Sequence, residues 1–102
     1  MSRIDQLQQM IQEDPQDVFL QYALGLEFLN ADISKAKEQF EKVLQLDSTY
    51  VAAYYQLGQV WVLQKNSAKA LECFKRGQQE ALNQNNRKAA GEFEEAIFLA
   101  ED

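Results

Sequence analysis

Histidine is absent from the 102-residue sequence, and cysteine and proline each occur only once. Without histidine, the chain lacks the commonest general base and the commonest metal ligand of proteins. The single cysteine, Cys73, excludes an internal disulfide and a Cys-His catalytic pair. Because Cys73 adjoins Phe74, a predicted core residue, we interpret it as a structural or half-buried thiol rather than a redox-sensitive one.

Other catalytic patterns are also missing. The glycines form no phosphate-binding loop, since Gly25 and Gly58 fall inside predicted helices. Clustered carboxylates could do acid-base chemistry or hold a hard cation, but we interpret them as a solvated acidic face and a charged helix start; they are Glu92, Glu94, Glu95 and Glu13, Asp14, Asp17. We therefore expect no cofactor, no metal site and no enzymatic activity.

The composition is that of an ordinary globular protein, with 46% hydrophobic and 25% charged residues. A chain of this length suits one domain that buries roughly 60 to 70% of its unfolded surface. The net charge of −6 disfavours nucleic acid, because phosphates would be repelled. No signal peptide or transit sequence opens the chain, so we expect a cytoplasmic protein, although a domain of a longer protein would look the same.

The longest uncharged stretch, residues 48–64, predicts a central helix that other helices cover on most sides. A membrane span is the alternative. It needs about 20 mostly apolar residues, whereas this stretch carries Ser48, Thr49, Gln56, Gly58 and Gln59. The sequence thus predicts a buried helix and no membrane segment.

Comparing the chain with itself reveals an internal repeat. The motif Leu24-Gly25-x-x-Phe28 recurs 33 positions later as Leu57-Gly58-x-x-Trp61. Ala36 and Phe40 recur 34 positions later as Ala70 and Phe74. Such a fixed period is typical of stacked helical repeats. At 100° per residue, Leu57, Gly58 and Trp61 share one side of a helix, and Gly58 would allow a neighbouring helix to come close.

These residues resemble the tetratricopeptide repeat (TPR), whose pattern has a period of about 34. The resemblance implies an all-α fold, a right-handed solenoid of helical hairpins with about six helices. A single domain is expected, with a leading helix in residues 1–17, repeats in 18–50 and 51–84, and a capping helix in 85–102. Gln21 and Ser48 stand where the family usually has Trp and Pro.

Helices are expected near residues 3–13, 16–30, 33–46, 50–64, 67–83 and 87–101. Asp32 and Asn66 precede the second helix of each repeat and are good N-caps. Apolar stripes predict the buried faces, which include Met10 in the leading helix and Leu82 near the end of the second repeat. Phe98 falls opposite the stripe of the last helix and should be partly exposed.

The TPR resemblance also implies a binding surface, a concave groove lined by the first helices of successive repeats. The lining would be Phe19, Tyr22, Leu26 and Leu29 from one helix and Ala52, Tyr55, Gln59 and Val62 from the next. TPR proteins that clamp a C-terminal carboxylate use Lys, Asn and Arg there, whereas the corresponding places here hold Tyr22, Leu26 and Gln56. The alternative is that the lining residues only fill space between neighbouring helices.

An uncharged groove with two tyrosines suits an apolar or amphipathic segment of a protein partner. The leading functional hypothesis is therefore a protein-interaction module or adaptor. A self-associating scaffold, using the groove or Phe98 to form a homodimer, is the second hypothesis. An enzyme or ligand carrier is the third.

Overall fold

The computed structural model describes residues 1–101, and this part of the chain contains six α-helices and no strand. They are α1 (Arg3–Glu13), α2 (Val18–Phe28), α3 (Ile33–Leu46), α4 (Val51–Leu63), α5 (Ser67–Asn83) and α6 (Arg87–Ala100). All six predicted helices are confirmed, and no boundary differs from the prediction by more than two residues.

Side chains that accept backbone hydrogen bonds fix the start of five of the six helices. Asp32 Oδ1 accepts from the N–H groups of Ser34 and Lys35 at 3.1 and 3.2 Å, and Asn66 Oδ1 accepts from Lys69 at 3.1 Å. Both N-caps predicted from the sequence are thus confirmed. The remaining caps are Ser2, Asp17 and Asn86, whereas α4 begins after Tyr50 without a side-chain cap.

The C-terminal ends of α4 and α5 share one turn geometry. Lys65 and Asn85 have φ angles of 59° and 57°, in the left-handed region. The next residue closes each turn, because Asn66 N–H donates to the Trp61 carbonyl at 2.9 Å and Asn86 N–H donates to the Ala81 carbonyl at 2.8 Å. These turns satisfy carbonyl groups that the helix itself leaves unpaired.

Residues Met1–Ser48 form one compact unit, in which α1 packs on α2 and α2 packs on α3. Phe40 of α3 is fully buried against Gly25 of α2. A Cβ atom at Gly25 would lie only 2.8 Å from Cδ1 of that ring, so the two helices approach where no side chain intervenes. The other buried residues of this unit are Leu7, Gln21, Leu24, Phe28, Ala36 and Val43.

Gln21 is the one polar side chain in that core, with 1% of its surface exposed. Its Nε2 donates to the Pro15 carbonyl at 3.0 Å. Gln39 of α3 donates from Nε2 to the Gln21 backbone carbonyl at 3.1 Å and also to Gln21 Oε1. Because its amide is paired at both ends, Gln21 is tolerated in the core and ties the α1–α2 turn to α3.

A second compact unit begins at Thr49 and contains α4, α5 and α6. In this unit α5 packs on both α4 and α6. A Cβ atom at Gly58 would lie 2.6 Å from Cδ1 of the buried Phe74 ring, which confirms the predicted close contact at Gly58. Gly77 of α5 makes a second close contact that the sequence did not indicate: a Cβ there would meet the Phe93 ring and lie 2.7 Å from Tyr54 Cβ.

The ends of α4 and α5 in this unit are also held by polar and cationic contacts. Gln84, which follows α5, donates from Nε2 to the Thr49 carbonyl just before α4 at 2.8 Å. Trp61 is half-buried, and Lys69 Nζ lies 4.6 Å from the centroid of its ring. The first contact joins the start of α4 to the end of α5, and the second joins the end of α4 to the start of α5.

Three apolar positions are more exposed than the sequence predicted. Leu82 is 52% exposed because Ala81, one residue earlier, takes the buried position in the last turn of α5. Met10 is 46% exposed, since α1 packs mainly on α2 and buries only Leu7. The predicted covering of α4 is wrong near its C-terminal end, where Leu63 is 66% exposed, because α5 packs against the side of α4 that carries Tyr54 and Gly58, about 140 to 180° around the helix from Leu63.

Within residues 1–101, no helix has the length and apolar character needed to cross a membrane.

Candidate functional site

Four of the predicted binding residues lie on one side of α2, and we call this set the α2 strip: Phe19, Tyr22 and Leu26 in the helix, and Leu29 at its C-cap. Their spacing of three and four residues places them along a single helix face. Phe19 is 63% exposed, and the other three are half-buried. None of the four belongs to the buried core of unit Met1–Ser48.

Tyr22 also has a packing role. Its ring centroid lies 5.7 Å from that of Phe40, with the two ring planes tilted by 49°. The tyrosine therefore rests on the phenylalanine that fills the contact at Gly25. The core holds one side of the ring and leaves part of it accessible, so Tyr22 presents a rigid aromatic surface.

Three predicted binding residues lie on α4, and we call this set the α4 strip: Tyr55, Gln59 and Val62. Val62 is 42% exposed, whereas Tyr55 and Gln59 are half-buried. Ala52, one turn before Tyr55, is exposed. The α4 strip therefore lies outside the buried core of its unit, as the α2 strip does in the other.

Tyr55 contacts the last helix as well as α5. Its ring centroid lies 5.9 Å from that of Phe74 and 5.6 Å from that of Phe93 on α6, the second pair meeting edge to face at 65°. Phe74 and Phe93 are themselves 6.4 Å apart, so three rings form one cluster. Tyr55 is thus partly covered by α6, yet it keeps an accessible side.

A cleft of about 180 Å³ opens between α4 and α6 beside this cluster, and we call it the α4–α6 cleft. Its lining consists of Tyr55 and Gln59 from α4 and of Glu92, Glu95, Ala96 and Leu99 from α6. Glu92 and Glu95 are exposed, as expected for a solvated acidic face. The sequence pattern does not place these carboxylates beside Tyr55, because the last helix lies outside the register of the repeat.

Other chemical groups in the described residues are few. Among residues 1–101 no three side chains of the metal-ligating types cluster closely enough to hold an ion. Cys73 is half-buried on α5, as predicted. Phe98 is 76% exposed, which confirms that it points away from the packed side of α6.

Comparison with solved structures finds a relative that is similar enough in sequence to show the family of this chain. A tetratricopeptide repeat domain protein from Salinibacter ruber, solved by NMR, is 32% identical, with a TM-score of 0.81 over 86% of this chain and 90% of that one. The chain belongs to the TPR family. No protein-family model matches it, and a search of curated proteins finds no match either.

Two further TPR structures have the same fold at lower identity. The TPR2B domain of yeast Sti1, solved in complex with pHsp70, is 20% identical, with a TM-score of 0.89 over 96% of this chain and 79% of that one. YrrB, described as a TPR protein with an unusual peptide-binding site, is 20% identical, with a TM-score of 0.67 over 93% of this chain and 57% of that one. The all-α helical repeat fold predicted from the sequence is therefore confirmed.

Within this TPR chain, the two glycines of the repeat motif play equal structural roles. Gly25 receives Phe40 and Gly58 receives Phe74, and each phenylalanine supports a tyrosine of the corresponding strip, Tyr22 or Tyr55. The phenylalanines of the repeat motif thus support the two tyrosines on the side that faces the core. The buried Gln21 occupies the position that is usually Trp in the family and replaces apolar packing by hydrogen bonds.

Proposed function

We propose that this TPR chain is a protein-interaction module that binds an apolar or amphipathic segment of a partner through the α2 strip and the α4 strip. The observation that carries the proposal is the exposure of apolar side chains on both strips, 63% for Phe19 and 42% for Val62. Exposed apolar side chains beside rigid aromatic rings are typical of binding surfaces.

Related structures support the same general function. The Sti1 domain was solved with pHsp70, and YrrB is described as having a peptide-binding site. Carboxylate clamping is not part of the proposal, because Tyr22, Leu26 and Gln56 supply no cation for a terminal carboxylate. The proposed contacts are those of apolar burial, with tyrosine rings as anchors that lose little rotamer freedom.

Truncating the exposed members of the strips tests the proposal without disturbing the core. Random linear peptides displayed on phage are selected on the immobilised chain, and an enriched peptide is then labelled for fluorescence anisotropy. We expect the double variant Phe19→Ala, Val62→Ala to weaken binding of that peptide by about tenfold or more, because interface anchors cost about 1 to 4 kcal/mol when truncated.

The matched control is Leu63→Ala, Leu82→Ala, which truncates two residues that are 66% and 52% exposed but lie outside both strips. This control should change the dissociation constant by less than about twofold. Unchanged binding by Phe19→Ala, Val62→Ala would place binding elsewhere on the surface and overturn the proposal, and equal losses in both double variants would overturn the specific role of the strips. Circular dichroism confirms that each variant remains helical.

A self-associating scaffold is the second candidate, and the 76% exposure of Phe98 is the observation that favours it. Size-exclusion chromatography with light scattering separates the two functions. A monomer at all concentrations supports the interaction module, whereas a dimer that Phe98→Ala converts to a monomer supports the scaffold.

A further inference from the structure

The α4–α6 cleft combines two carboxylates with an apolar wall. Glu92 and Glu95 are three residues apart on α6 and therefore share one face of the helix. The Tyr55 ring, Ala96 and Leu99 provide the apolar surface around them. An acidic end beside an apolar wall matches a long side chain that has an apolar stem and a cationic tip.

The size of the cleft limits what it can hold. Sites for whole small molecules have volumes of about 300 to 1,000 Å³, whereas this cleft has about 180 Å³. It is therefore suited to one side chain of a larger partner. Leu99 at the cleft is 67% exposed, so it also leaves apolar surface for a neighbouring residue of the same partner.

The charges around the cleft select the sign of that side chain. Both charged residues of the lining are acidic, and the chain as a whole has a net charge of −6. The basic residues that begin α6, Arg87 and Lys88, are outside the lining. The Tyr55 ring adds a further attraction, since a cation over an aromatic face is stabilised by the ring quadrupole.

We infer that the α4–α6 cleft binds a lysine or arginine side chain of the partner segment, with an apolar residue of that segment covering Leu99. This inference rests on the proposed function and specifies its partner: a basic amphipathic segment rather than a purely apolar one. The Glu92 and Glu95 carboxylates accept hydrogen bonds from the cation, and its methylene stem packs along Ala96 and Tyr55.

Parallel peptide selections test this inference. The library of random peptides on phage is selected on three proteins: the wild type, the cleft double variant Glu92→Gln/Glu95→Gln, and the control double variant Glu94→Gln/Glu101→Gln. The control has the same net charge as the cleft variant but changes two exposed carboxylates outside the cleft. We expect lysine or arginine next to an apolar residue to be enriched on the wild type and on this control, and the basic preference to disappear on Glu92→Gln, Glu95→Gln.

Anisotropy with one enriched synthetic peptide then gives the magnitude. The change at Glu92 and Glu95 should weaken binding about tenfold and reduce the salt dependence of the affinity, while the charge-matched control should change it less than about twofold. Replacing the basic residue of the peptide by glutamine should cause no further loss on the variant. An equal loss in both variants would show attraction to net charge alone and would overturn the inference.

The outcomes separate this inference from the proposed function. Enriched peptides that have no basic residue, but lose affinity on Phe19→Ala, Val62→Ala, would leave the proposed function in place and overturn the cation site. Failure to enrich any peptide above the bare support would overturn both. Shifts of the Gln59, Glu95 and Leu99 amide resonances on peptide addition, together with the tenfold loss, would support the cation site.

Discussion

Three glycines let phenylalanine rings enter close helix contacts. Gly25, Gly58 and Gly77 each lie where a Cβ atom would overlap a ring, of Phe40, Phe74 and Phe93 respectively. These rings are at most 1% exposed, so the surrounding core limits any shift that would accommodate an added atom. Gly91 differs, because a Cβ atom there would meet nothing within 4 Å.

The pair Gly58→Ala and Gly91→Ala separates packing from helix propensity. We expect Gly58→Ala to lower the free energy of unfolding by about 1 to 3 kcal/mol through overpacking against Phe74. Gly91→Ala should instead raise it by about 0.5 to 1 kcal/mol, since alanine restricts the unfolded chain and favours the helix. Urea denaturation measures both, and a Gly58→Ala protein as stable as the wild type would contradict the contact.

The repeat predicted some of these residues but not others. Gly25 and Gly58 recur at the same place in both repeats, and this recurrence supports the close contact that the sequence predicts at Gly58. Gly77 has no such counterpart in the motif, because its partner Phe93 lies on the last helix. In the sequence Gln21 stands out only as a departure from the TPR pattern, because its burial depends on Pro15 and Gln39, which no local pattern connects to it.

At the scale of elements, the turn after α4 contains a residue poorly suited to its backbone. Lys65 has a φ angle of 59°, and Asn85 has 57° at the equivalent place after α5. The left-handed conformation costs ordinary L-residues roughly 1 to 2 kcal/mol, whereas asparagine and glycine tolerate it. The chain therefore carries strain after α4 that it largely avoids after α5.

Lys65→Gly should relieve that strain. After the entropy that glycine adds to the unfolded state, we expect a net gain of about 0.5 to 1 kcal/mol, or a few degrees in the melting temperature. Asn85→Gly should gain less, and Lys65→Ala should gain nothing. Calorimetry of the three variants measures the differences, and an equal melting temperature for Lys65→Gly and Lys65→Ala would argue against strain at this turn.

Helix positions were predictable because the signals are local. Caps such as Asp32 and Asn66, apolar periodicity and the two-fold repeat together gave all six helices. The register of α6 is not local. The N-caps of α2 and α4 are 33 residues apart, at Asp17 and Tyr50, whereas the N-cap of α6 follows Tyr50 by 36 residues, at Asn86. Because α6 is out of register with the repeat, the motif does not predict that Glu92 and Glu95 line the α4–α6 cleft.

At the scale of the whole molecule, α6 contributes both core residues and cleft-lining residues to the unit that begins at Thr49. Phe93 is 1% exposed and lies in the ring cluster with Tyr55 and Phe74, beside Gly77. Phe98 on the same helix is 76% exposed. The last helix is therefore integral to its unit and also presents an apolar side chain to solvent.

Two phenylalanine substitutions on α6 test that division. Phe93→Ala should destabilise the protein by about 3 to 5 kcal/mol, because it leaves a cavity among Tyr55, Phe74 and Gly77. Phe98→Ala should change stability by less than about 0.5 kcal/mol. Thermal melts followed by circular dichroism compare the two, and similar melting temperatures would show that α6 is a loosely attached tail.

The position of Trp61 has an optical consequence. It is the chain's only tryptophan, and it is half-buried on α4 with Lys69 near its ring. Tryptophan fluorescence therefore reports on the unit that begins at Thr49 and not on residues Met1–Ser48, whereas the helical circular dichroism signal is the sum of both units. The protein thus contains a built-in fluorophore, and its emission can follow the α4–α5 pair without any label.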